Sequence, residues 1–194
     1  MKTSVYNGLI KLAESIKYSI TTFICKFKCR MNGVHLANGA KFYGNTTFRL
    51  YNKSNISIGA NCRFRSSPLS NLIGINHRCI ISTHNENTFI KIGDNCGFSG
   101  VVIGAFTQII LGNNVRCGAN VLITDSDWHA NDPRVDSPRP VKIGNNVWLG
   151  YSSIILKGVE IGDNSIIGAG SVVTKSIPAN VIAAGNPCKV IKTL

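Results

Sequence analysis

The chain is poor in acids, in aromatics and in any arrangement of cysteines that would pair or bind metal, and each shortage removes a class of protein. Only nine of its 194 residues are Asp or Glu, against 21 Lys and Arg, so an acidic, solvating chain is excluded. Aromatic residues make up 8% and tryptophan appears twice, whereas glycine appears nineteen times, which points to a turn-rich, β-dominated architecture. The seven cysteines at positions 25, 29, 62, 79, 96, 117 and 188 are odd in number and contain no CxxC pair, so neither a disulfide framework nor a zinc ribbon is indicated. A reducing cytoplasm fits that usage, and Cys25 and Cys29, four apart on a helix, share a face without making a metal site by themselves. No apolar run approaches the roughly 18 residues of a membrane-spanning helix; the stretch Tyr18 to Cys25 is interrupted by Ser19, Thr21 and Thr22. At 44% apolar and 15% charged, the chain has enough hydrophobic content for one globular unit with an appendage.

The positive charge is unevenly spread. Residues 1–65 hold eleven Lys and Arg against the single acid Glu14, while the rest holds ten bases and eight acids. An anionic partner for the first third is one reading, a solvated basic face the other. Residues 4–30 read as an amphipathic helix, with Val5, Leu9, Leu12, Ile16, Ile20, Phe23 and Phe27 at three- and four-residue spacing and Lys11, Lys17, Lys26 and Lys28 between them. The favoured expectation is that this stripe covers the open end of the next domain; the alternative is a basic helix lying on an anionic membrane. Nucleic acid is not expected, because no recognised module accompanies the charge.

From residue 34 the pattern changes. An aliphatic residue, Gly, any residue and Asn recur at Ile58–Asn61, Ile92–Asn95, Leu111–Asn114, Ile143–Asn146 and Ile161–Asn164, and such self-similarity marks a solenoid. The finer period is six: positions 143, 149, 155, 161, 167 and 173 are Ile, Leu, Ile, Ile, Ile and Val, and Val147, Ser153, Val159, Ser165 and Ser171 follow the first five at a distance of four. Neither a helix nor a two-residue strand alternation repeats at six; a flat-faced prism does, with three hexads to a coil of eighteen and about seven coils in all. Cys62 and Cys96 fall in the small-residue slot and Cys117 six after Leu111, so these cysteines are core filler. Gly and Asn after each aliphatic mark corners, where both tolerate left-handed backbone. A one-residue slip between Phe98 and Leu111 interrupts the regular middle.

Between Ile123 and Ile143 the core pattern is lost. The interruption, residues 124–140, contains four of the nine acids, His129 and three of the six prolines, and an insertion in a repeat protein is a loop on one face that commonly carries function.

From Val121 onward the chain resembles the hexapeptide-repeat O-acetyltransferases, among them the maltose, galactoside, nodulation-factor and surface-polysaccharide acetyltransferases. The matching motifs are the loop with His129 followed by Arg134, Pro140–Gly150, Gly158–Ser165, Ile167–Lys175 and Ala184–Ile191. The likeness is close over roughly 75 residues, rests on the repeat alone over 34–120 and does not reach residues 1–30. It implies an all-β solenoid, a left-handed parallel β-helix, with an N-terminal amphipathic helix (1–32), a β-helix domain (33–194), an extruded catalytic loop (124–140) and a C-terminal tail (176–194). It further implies a homotrimer with active sites between subunits, acetyl-CoA as co-substrate and no metal. His129 is then the general base, drawing the proton from a sugar hydroxyl as it attacks the thioester, with imidazole suited by its ordinary pKa near ~6.5. Asp127 would orient the imidazole; Asp125 is an equal candidate for that role and, with Ser99, Arg134 and Trp148, is assigned to the acceptor. Coenzyme contacts carried over from the family fall on Gly150, Gly168, Ala169, Thr174, Lys175 and Lys189. Tyr151 stands where relatives often have a small residue, and Phe98–Gly100 where galactoside-acetylating relatives carry an asparagine, so a galactoside acceptor is not assumed. His77 and His84 read as structural or surface residues.

The expected function is O-acetylation of a sugar nucleotide or lipid-linked glycan in surface-polysaccharide (O-antigen or capsule) assembly, in the cytoplasm or peripheral at the inner membrane face. The alternatives are a xenobiotic acetyltransferase of the streptogramin or chloramphenicol type, and a non-catalytic β-solenoid scaffold.

Overall fold

The computed structural model describes residues 2–129 and 132–194; the side chains of Val5, Leu9 and Lys11, assigned above to the apolar and basic stripes, lie outside what it describes. A helix, Lys2–Met31, precedes a parallel β-helix of three flat faces. The first face has six strands: His35–Leu36, Asn55–Ile58, Phe89–Ile92, Gln108–Leu111, Val141–Ile143 and Glu160–Ile161. Its inward ladder runs Leu36, Ile58, Ile92, Leu111, Ile143 and Ile161, the aliphatic positions of the sequence repeat. The second face has eight strands and the third six, each coil contributing one strand to each. Six coils are complete, and Val181–Gly185 begins a seventh that ends when Cys188–Thr193 returns antiparallel to it.

The structure separates the roles of Gly and Asn in the repeat. Asn61, Asn95, Asn114, Asn146 and Asn164 take the left-handed conformation, with φ between 55° and 61°. The glycines are needed instead for close approach: a Cβ on Gly93 would lie 2.6 Å from the backbone of Gly112, and one on Gly144 would meet Asp163 of the next coil. The residue between them bonds coil to coil, as where the Ala60 N–H donates to Asp94 Oδ1 (2.7 Å) and the Asp94 N–H to Asn113 Oδ1 (2.8 Å). The asparagines form a second ladder, Asn114 to Asn146 and Asn146 to Asn164, both at 3.0 Å. The residue after each glycine and the asparagine that follows it thus pair backbone and amide groups from coil to coil along the corner.

The core is aliphatic in the later coils and aromatic at the start, where Phe42, Phe64 and Phe98 stack at 4.9 and 5.0 Å. Cys62, Cys96 and Cys117 are buried in it, and burial pushes the Cys117 thiol up. The register shifts by one residue at a bulge between Arg116 and Ala119 opposite Gly97–Ser99.

The helix corrects one expectation. Its apolar stripe does not cover the solenoid: Leu12, Ile16, Ile20, Phe23, Phe27 and Met31 are exposed, and the opposite face docks. The reason is that the first coil ends in an unpaired strand edge, which needs polar partners more than apolar cover. Phe42 supplies both groups: its N–H donates to Thr22 Oγ1 (2.9 Å) and its carbonyl accepts from Thr21 Oγ1 (2.9 Å). Cys25 and Cys29, buried on the same face, complete the contact, and burial raises the Cys29 thiol to about 12. Among the described residues no helix is long and apolar enough to cross a membrane.

Candidate active site

Sheet topology assigns the candidate residues to two edges of the prism. The chain leaves the third face after Leu122–Thr124 and rejoins the first at Val141–Ile143, so the His129 loop occupies the edge between those faces. The same edge is turned one coil later by Lys157 and two coils later by Thr174–Lys175, which follow the strands Ile154–Ile155 and Val172–Val173. Ser99, Gly150, Gly168 and Ala169 instead lie where the second face turns into the third.

The loop is anchored at three points. Asp125 is fully buried, and its two carboxylate oxygens accept from the backbone N–H groups of Phe106 (2.7 Å), Thr107 (2.7 Å) and Gln108 (2.8 Å) and from Thr107 Oγ1 (2.8 Å). Fully buried and facing four donors of the preceding coil, that carboxylate is turned away from solvent and from exposed His129, so its assignment to the acceptor and to the imidazole is corrected: it ties the start of the loop to the preceding coil. Lys157, with its side chain 10% exposed, spans the loop, donating to Asp127 Oδ2 at the beginning and to the Asp136 carbonyl (3.0 Å) near the end. Trp128 is the third anchor. It sits at φ 69°, donates from Nε1 to Thr124 Oγ1 (2.9 Å) and lies so close to Gly104 that a Cβ there would meet the indole at 2.3 Å. His84 and Phe106 pack on it, their rings 4.6 and 5.3 Å from the indole, and His84 Nε2 is 2.9 Å from Ser82 Oγ. Burial lowers the His84 pKa; Asp125 pulls it up and Arg49 down by smaller amounts.

These anchors present the next residue, His129, to solvent. Among the described residues no hydrogen bond joins its imidazole to Asp127, whose carboxylate is engaged by Lys157. Arg134 forms a two-pronged pair with Asp132 at 2.9 and 2.6 Å, which holds the Asp132 carboxyl below the usual carboxylate range. Sequence reasoning missed Lys157 and Trp128; the only local signal was the loop that both serve.

Along the other edge, a column of small residues crosses the later coils. A Cβ on Gly118 would lie 2.7 Å from Tyr151 N, one on Gly150 2.6 Å from Ala169 N and one on Gly168 2.7 Å from Ala184 Cβ. Ala184 pairs with Lys189, so the column ends at an exposed ammonium, and Ala169 is exposed beside it. Trp148 projects outward from the second face and is 54% exposed. Ser99 is buried beneath a second insertion, residues 66–79, where Asn71 Nδ2 donates to its hydroxyl (3.1 Å). A single chain therefore keeps the histidine and the glycine column at separate edges, with the third face between them.

A three-faced hexad solenoid, a pinned histidine loop and a glycine-lined edge ending in lysine together define a β-helical transferase architecture. Residues 140–175 match the family model described as bacterial transferase hexapeptide (six repeats), and the fold is a left-handed parallel β-helix. Galactoside O-acetyltransferase of Escherichia coli (strain K12) is 44% identical over 112 residues, 54% of each chain. Protein CapG of Staphylococcus aureus is 42% identical over 114 residues, 54% of this chain and 66% of that one. The chain spans between about half and two thirds of the length of such curated relatives. Among solved structures, a galactoside acetyltransferase in complex with coenzyme A is 30% identical with a TM-score of 0.51, covering 82% of this chain and 64% of that one. The N-acyltransferase AntD from Bacillus cereus, in complex with an aminosugar nucleotide and coenzyme A, shares the fold at a TM-score of 0.66 and 20% identity, covering 87% and 88%.

Proposed function

We propose that this protein is an acetyl-CoA-dependent O-acetyltransferase that acts on a sugar hydroxyl in surface-polysaccharide assembly, with His129 as general base. The observation that carries the reading is the triple anchoring of a loop whose next side chain is a solvent-facing imidazole. A surface loop without a task has no need of a buried carboxylate, a nearly buried lysine and a strained tryptophan. The name of the galactoside-acetylating relative supports the acceptor class.

In the proposed reaction the acceptor oxygen attacks the thioester carbonyl carbon while His129 takes the hydroxyl proton. The new C–O bond forms, the C–S bond breaks, and the proton passes from imidazolium to the departing thiolate. Holding both substrates in reach supplies much of the rate, so no acyl-enzyme is required. Lys157 fixes the loop by engaging Asp127, and the column through Gly150 and Gly168 lets the coenzyme's pantetheine arm approach backbone amides, with Lys189 as a point charge for phosphate. Thr174 and Lys175 stand on the histidine's edge and Gly150, Gly168 and Ala169 on the other; a homotrimer that sets one copy's edge against its neighbour's reunites them. Exposed Trp148 is assigned to that intersubunit surface. The protein acts in the cytoplasm on a sugar nucleotide or lipid-linked glycan; contact of its N-terminal helix with the membrane rests on separate observations.

Free-thiol release from acetyl-CoA, followed with sugars, sugar nucleotides and chloramphenicol, tests the proposal. His129→Ala is expected to lower sugar-stimulated release by about 10²–10⁴-fold with coenzyme binding retained. Release that survives this substitution overturns the mechanism, and stimulation by chloramphenicol alone overturns the acceptor class.

A further inference from the structure

The most anomalous surface of the molecule is the outer side of the N-terminal helix. Ile16, Ile20, Phe23 and Phe27 form one apolar stripe, and Phe23 is 74% exposed. A stripe at this spacing in a globular protein normally faces the core. Here the core-facing side is already taken by Thr21, Thr22, Cys25 and Cys29, so the stripe points away from the solenoid end. Exposed apolar surface of this extent marks an interaction site.

Charge identifies the partner. Lys17, Lys26, Lys28 and Arg30 are exposed around the stripe, and the helix carries a single acid, Glu14, on the docked side beside Tyr18 and Lys41. A second copy laid against this face would bring cations against cations, with no carboxylate to meet them. An anionic bilayer satisfies both features, because phosphate headgroups pair with the flanking lysines while the stripe enters the acyl boundary.

We propose that the helix Lys2–Met31 is a docking surface for an anionic phospholipid bilayer, with Ile16, Ile20, Phe23 and Phe27 entering the interface and Lys17 and Lys26 meeting headgroups. Because the helix caps the first coil at Phe42, its outer face looks away from the end of the β-helix. Copies packed side by side would present their helices to one plane, and multivalent attachment would follow without new contacts. The solenoid would stand on the membrane with its catalytic edges along the normal.

The test is flotation of the full-length protein with phosphatidylglycerol–phosphatidylcholine vesicles and with phosphatidylcholine vesicles alone. Binding to the anionic vesicles at least tenfold above the neutral ones, weakening as salt rises, is expected. Both F23S/F27S and K17E/K26E should lose at least tenfold of it; all four side chains are exposed, so neither variant disturbs the solenoid. Thiol release with a soluble acceptor is unchanged in these variants, which separates this proposal from the catalytic one. Absent binding to anionic vesicles, binding undiminished in both variants, or light scattering in which F23S/F27S is a smaller oligomer than wild type overturns it.

Discussion

Two insertions interrupt the solenoid, and they are built on opposite principles. The His129 loop is held by charge: a buried carboxylate gathers backbone donors and a lysine spans its ends. The insertion at 66–79 is held by amides and one apolar plug, with Asn120 accepting from the Asn76 N–H (3.0 Å) and donating to the Gly74 carbonyl (2.9 Å), and Ile75 buried. Its tip, with Leu69, Leu72 and Ile73, is apolar and exposed. Charge-assisted bonds are roughly twice as strong as neutral ones, so the anchored residues of the first insertion, Asp125 and Asp127, are held by the stronger contacts. Under the proposed mechanism, a loop that holds an imidazole against a substrate gains from such anchoring, whereas a segment that only shapes the adjoining edge does not need it.

The contrast is broken most severely at Asp125. Asp125→Ala leaves three partly buried backbone donors without that acceptor and is expected to cost about 3–4 kcal/mol, at roughly 1 kcal/mol or a little more for each orphaned group. A urea unfolding midpoint equal to wild type would show that the loop is not tied there. Lys157→Met removes the clasp while keeping the packed stem; about 2 kcal/mol of stability should go, and sugar-stimulated transfer should fall more steeply than coenzyme affinity. Equal losses in both would mean that the clasp supports the whole edge rather than the histidine. Asn120→Ala probes the other insertion: two neutral bonds to one amide predict about 1–2 kcal/mol, measured by thermal unfolding, with thiol release without acceptor unaffected.

The smallest expected effect is on pH dependence. Burial depresses the folded-state pKa of His84, so the unfolded chain binds the proton more readily. The histidine's contribution is therefore intact above its unfolded value of 6.5 and is lost as pH falls from there through the folded value. Unfolding profiles from pH 8 down to about 5 should show this slope, and His84→Asn should flatten it.

The legibility of these parts in the sequence follows their physics. The prism was readable because a hexad repeat has no rival geometry, and the His129 loop because it breaks a strong period. The insertion at 66–79 was missed: it follows coils whose repeat is less regular, and it carries no chemistry-bearing residue that stands out. Asp125 was misassigned because sequence places it in the loop but not at which turn of the backbone its side chain enters the interior. Lys157 and Trp128 act through contacts with other coils, which no local pattern reveals. The helix teaches a related lesson, since its apolar face was correct in composition and wrong in destination. Periodicity identifies which side of a helix is greasy, and the partner of that side is decided by what the rest of the molecule still needs.

What the first coil needed has a consequence for the molecule's length. A parallel β-stack has no intrinsic stopping point, and a bare terminal strand is a template for another chain. At one end the hydroxyls of Thr21 and Thr22 take the place of the next strand at Phe42. At the other the chain reverses, so the last strand runs antiparallel and exposes Lys189 and Lys192. Among the described residues, neither end of the stack offers an incoming parallel coil a bare matching edge, which works against growth into a fibre.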